Sequence, residues 1–148
     1  MRIKSPSFLS PPKSSRSTLL TKKMSKPFVS PNSTPLSSKI SSIQLSKLRQ
    51  GFAPQDQDDK WLITSTSTQH STSFPAYETL QISFIRSGTG KKIVELEIEV
   101  PTDGSEGVVR KLIWDTDDGV IGGGQDEAEA RERVVKVSAS LFGIELEL

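Results

Sequence analysis

The chain has 148 residues, no cysteine, one histidine and a formal net charge of +1. That length holds one domain, and the missing thiol excludes disulfides, zinc–thiolate centres, iron–sulfur clusters and cysteine nucleophiles. The near-neutral total hides a split, because the first 55 residues carry ten Lys/Arg and no acid, whereas the other 93 carry 9 basic and 18 acidic side chains.

Residues 1–50 read as a disordered basic tail. Prolines (Pro6, Pro11, Pro12, Pro27, Pro31, Pro35) break any helix ladder, and Ser dominates between them. The few apolar residues there cannot offset the entropy of ordering. Such a tail suits three roles. A basic, Ser-rich, acid-poor leader resembles an organelle transit segment, which makes a mitochondrial protein the first alternative. A cationic arm would also hold nucleic acid or an anionic membrane by counterion release. Ser5-Pro6, Ser10-Pro11, Ser30-Pro31 and Thr34-Pro35 are Ser/Thr-Pro steps, and phosphorylation there would erase much of the positive charge. Met24 offers a second start. Leu36, Ile40, Ile43 and Leu48 fall near helical spacing, which predicts a short amphipathic helix ending at Gly51.

From Trp61 the period changes to two, and residues 56–148 read as a small α+β domain. Trp61 and Ile63 begin a first strand, and the Ser/Thr run 64–73 reads as a long connection. Leu80, Ile82 and Phe84 mark the second strand. Ser87-Gly88-Thr89-Gly90 turns the chain. In the third, Val94, Leu96, Ile98 and Val100 alternate with Glu95, Glu97 and Glu99, so one face meets water and the pairing is antiparallel. The fourth runs from Val108 to Asp115. A helix follows, with Asp126 and Glu129 as its capping box and Ala130, Val134, Val137 and Leu141 as its apolar stripe. Ile144, Leu146 and Leu148 alternate as a short final strand would. The expected fold is a four-stranded antiparallel meander with one C-terminal helix packed on its apolar face.

Few groups offer chemistry. Gly88-Thr89-Gly90-Lys91-Lys92 is shaped like a phosphate loop, but Ile85 stands where the first glycine belongs and a strand follows instead of a helix. It reads as a hairpin tip whose Arg86, Lys91 and Lys92 form a cationic patch. Asp115, Asp117 and Asp118 are the candidate metal ligands, although their spacing to Gly119 is not that of an EF-hand. His70 sits in a polar run, so nucleophilic triads have little to work with.

Asp58-Asp59-Lys60-Trp61 followed by Arg86-Ser87-Gly88-Thr89-Gly90 resembles a group of small microbial domains over residues 50–148. In that group Asp-Lys-Trp opens a strand and His-Arg-Ser-Trp-Thr-Gly lies at a hairpin. Here Ile85 stands at the His position and Gly88 at the Trp position. The resemblance implies an accessory role beside hydrolase domains and supplies no activity of its own.

The leading expectation is a non-enzymatic intracellular module, cytoplasmic or nuclear, that binds an unknown protein partner without a cofactor. Its contact residues are Trp61, Arg86, Ser87, Thr89, Lys91 and Lys92. The alternatives are the mitochondrial protein and a metal-dependent hydrolase built on Asp115, Asp117 and Asp118. No apolar stretch approaches the roughly 20 residues that span a bilayer.

Overall fold

The structure is a computed structural model that describes residues 27–56, 58–103, 106–117 and 125–148. Its strands are β1 (Pro31–Ile40), β2 (Trp61–His70), β3 (Tyr77–Arg86), β4 (Lys92–Pro101) and β5 (Gly107–Asp115). Its helices are α1 (Ser42–Gln50) and α2 (Glu127–Phe142). All pairings are antiparallel, in the order β1-β5-β4-β3-β2.

The expected meander is therefore present as β2–β5, but the sheet has five strands, not four. The additional strand comes from the segment read as tail. β1 lies along β5 from Pro31 opposite Asp115 to Ile40 opposite Gly107. Its prolines are tolerated for a geometric reason. The Ser30 carbonyl accepts from the Thr116 N–H, so alternate residues from Ser30 onward turn their backbone groups toward β5. Pro31 and Pro35 fall between them, at positions whose N–H would face away from the sheet, where an edge strand loses nothing. The expectation of a disordered tail fails for 31–50. For residues 1–26 it lies outside the described residues.

The helix predicted from Leu36 starts later. Leu36 and Ile40 belong to β1, and Ser41 caps α1 by accepting from the Gln44 N–H while Gln44 returns the bond. The end at Gly51 is as expected. The connection expected over 64–73 is strand as far as His70, opposite Tyr77. Thr and Ser occupy it because Thr66–Gln69 are exposed and need no apolar face. Ile144–Leu148 makes no strand, although the alternation correctly marks Ile144 and Leu146 as buried.

Both helices cover one face. Ile63, Phe84, Val94 and Trp114 share that face through direct pairing, as do Ile82, Leu96 and Leu112. Leu45 and Leu48 of α1 and Ala130 and Val134 of α2 close over them. Phe84, Ile82, Leu96, Ile98 and Leu112 are fully buried, each worth about 1.5–3 kcal/mol. The opposite face carries Glu97 and Glu99 together with Thr and Gln side chains of β2 and β3. Among the described residues no helix is long and apolar enough to cross a membrane.

Candidate functional site

Trp61 opens β2 and Arg86 closes β3, and the two are direct cross-strand partners. Their side chains therefore share a face. The Arg86 guanidinium lies over the indole, 4.9 Å from the ring centroid, an attraction of about 0.5–1 kcal/mol where water still reaches it. Arg86 Nε is buried and has no hydrogen-bond acceptor among the described residues.

The turn beyond Arg86 holds this pair in place. Gly90 N–H donates to the Arg86 carbonyl at 2.8 Å, with Gly90 at φ 73°, a conformation suited to glycine. The Ser87 N–H donates to the Lys60 carbonyl, and the Ser87 hydroxyl donates to the Asp59 carbonyl at 2.7 Å. Thr89 Oγ1 accepts from the Lys91 N–H. The hydroxyls of Ser87 and Thr89, both expected to contact a partner, also help to shape the hairpin.

The hairpin's cations part company. Lys92 pairs opposite Ile85, on the other side of the sheet from Arg86. Its Nζ meets Glu95 Oε1 at 2.8 Å and lies 5.4 Å from the Phe28 ring centroid. Lys91 is close enough to Asp115 to lower its pKa. Of the six expected contact residues, only Trp61 and Arg86 converge with their functional groups together.

α2 supplies what the sequence reading missed. A groove of about 320 Å³ lies between Trp61 and Glu129, Glu132, Arg133, Lys136 and Val137 of that helix. Burial holds Arg133 below the ordinary arginine pKa, the neighbouring Arg86 lowers it further, and Glu129 partly opposes both. Arg133 Nη1 donates to Gln125 Oε1 at 3.1 Å, and Gln125 Nε2 donates to the Ile93 carbonyl at 3.1 Å, which fixes the guanidinium against β4. The acids of the groove already have partners. Glu129 accepts from the Asp126 N–H at 3.0 Å in the capping box, and Glu132 pairs with Lys136 at 2.9 Å. The signal in the sequence was present but polar: Glu129, Arg133 and Lys136 follow one another at helical spacing, beside the apolar stripe.

The acidic cluster behaves differently. Asp115 is buried, and its carboxylate accepts from the N–H groups of Val29 at 2.9 Å, Ser30 at 3.1 Å and Asp117 at 2.9 Å. Desolvation pushes its pKa up, but these three backbone donors, with Lys91, outweigh it and leave the pKa below the ordinary value. The carboxylate latches the entry to β1. Asp118 lies outside the described residues. Among the described residues no group of three His, Asp or Glu side chains stands close enough to hold a metal ion. His70 stacks on Tyr77, with centroids 4.4 Å apart, and its Nε2 lies 2.9 Å from Thr79 Oγ1.

No known protein family, curated protein or solved structure matches the chain.

Proposed function

We propose that the protein is a non-enzymatic interaction module that receives an anionic side chain of a protein partner between Trp61 and α2. The carrying observation is a groove rimmed by the Trp61 ring, with the partly buried Arg133 among its lining residues and the Arg86 guanidinium lying over that ring, 4.9 Å from its centroid. A carboxylate entering beside Trp61 would meet positive charge from both guanidiniums. An arginine fork donates two parallel hydrogen bonds to a carboxylate. The Trp61 ring supplies apolar area beside it, the combination that anchors many protein contacts.

The test is a titration with a hexaglutamate peptide, with hexaglutamine and hexalysine as controls. Saturable binding of the acidic peptide alone, weakened by salt and lost in Arg86→Gln and Arg133→Gln, supports this role. Equal binding by wild type and both variants removes the groove as the contact surface.

A further inference from the structure

The two edges of the sheet are guarded unequally. β1 carries Pro31, Pro35 and Lys39, and its register slips between Pro35 and Ser38. Proline, lysine and bulges are the devices that keep an edge from pairing with another chain. β2 has none of them: from Thr64 to His70 it contains no proline, lysine, arginine or acid, and its register against β3 is unbroken.

The direction of its free groups is fixed. Ile63 exchanges both backbone hydrogen bonds with Phe52, at 3.0 and 2.8 Å, on the side away from β3. Strand alternation then turns the backbone groups of Ser65, Ser67 and Gln69 to that same outer side. Among the described residues none of these three backbones has a hydrogen-bond partner there. The open stretch is bounded by the Phe52 bridge at one end and by the end of β2 at His70 at the other.

We infer that this edge pairs with β2 of a second copy of the chain, antiparallel about a two-fold axis through Ser67. Thr64–His70 is centred on Ser67, so this register uses the whole open stretch and stops where Phe52 begins. Ser67 faces its own copy, Ser65 faces Gln69, and Thr66 faces Thr68, so no like charges meet across the axis. The three outward residues of each copy exchange about six N–H···O bonds, and the sheets join without an edge between them. Uncharged Ser, Thr and Gln are compatible with themselves, which favours a second copy over a partner chosen by charge. The inference concerns the far end of β2 from Trp61 and does not rest on the groove.

Sedimentation of the full chain from micromolar to millimolar concentration tests it, with amide exchange as a second readout. Mass doubling with rising concentration is expected, together with concentration-dependent protection of the Ser65, Ser67 and Gln69 amides. Gln69→Pro deletes one outward N–H that the fold does not use. The double variant Thr66→Lys, Thr68→Lys places positive charges across the axis while leaving every backbone group intact. Both should remain monomeric at concentrations where wild type is a dimer, with unchanged circular dichroism. A wild-type monomer throughout the range overturns the inference, as does dimerisation of the double variant at wild-type strength. Protection of these amides that does not change with concentration also overturns it, because the occupant is then something other than a second copy.

Discussion

Arg49 of α1 grips Glu78 of β3 with both prongs of its guanidinium, Nη1 to Oε2 at 2.7 Å and Nη2 to Oε1 at 2.5 Å. The Ser67 hydroxyl donates to the same carboxylate. This pair fastens the helix that follows β1 to the sheet it covers. The Arg49 hydrogen bond is the largest cause of the lowered Glu78 pKa, burial opposes it, and Ser67 assists; the result is about 2, against an ordinary 4.5.

A lowered folded-state pKa means that the ionised carboxylate stabilises the fold above its unfolded value. That stabilisation disappears as pH falls from about 4.5 toward about 2. Arg49 is 39% exposed, so solvent screens the pair, and about 1–2 kcal/mol is expected at neutral pH. Glu78→Gln should lower the unfolding free energy by that amount at pH 7 and flatten its fall between pH 4.5 and 2. Urea unfolding across that range checks both; parallel curves for wild type and variant would contradict it.

Asp115→Asn removes the charge that three backbone N–H groups converge on and turns an amide N–H₂ toward donors. A loss of about 1–3 kcal/mol is expected. It should be local in origin, with the amides of Val29 and Ser30 losing exchange protection before those of β3 and β4. Hydrogen exchange followed residue by residue makes the comparison.

Gly51 and Gly143 both take positive φ, at 70° and 68°, but their surroundings differ. A Cβ at Gly51 would stand 2.5 Å from the Ile63 carbonyl oxygen, a backbone atom, whereas a Cβ at Gly143 meets nothing within 4 Å. Gly51→Ala should cost about 2–3 kcal/mol. Gly143→Ala should cost about 1 kcal/mol, the conformational penalty alone. Thermal midpoints of the two variants give the ranking, and equal losses would refute the clash.

The Ser138 hydroxyl on α2 is buried without a hydrogen-bond partner among the described residues. Ser138→Ala removes that desolvated group and places a better helix former at the position. It should stabilise the protein by about 0.5–1 kcal/mol, which chemical unfolding measures directly.

Elements written in apolar alternation were legible in the sequence. Val94–Val100 and Leu80–Phe84 announce their own strand and face, and the Asp126–Glu129 capping box marks the start of α2. β1 was hidden because proline and serine argue against a strand, and only its place at an edge makes them acceptable. That place depends on β5, about 75 residues away, and no local pattern encodes it. The polar half of β2 was hidden for a related reason: an edge strand with little to bury shows no alternation. At the candidate site, the Trp61 and Arg86 motifs were visible separately. Their contact follows from strand register, and Arg133 joins them only through the packing of α2, which polar residues at helical spacing do not reveal. The grouping of Lys92 with Arg86 assumed one surface for a hairpin on which Lys92 pairs with Ile85, on the other side of the sheet.

The two tryptophans provide the most direct test of the groove. Trp61 is half-buried at its rim, while Trp114 is in the core at 4% exposure. Their indole N–H resonances can be followed together as hexaglutamate is added to the intact chain. The account predicts a saturable shift of the Trp61 resonance, a stationary Trp114 resonance, and no shift of either in Arg86→Gln. A Trp61 resonance that stays still, or that moves equally in Arg86→Gln, would contradict it.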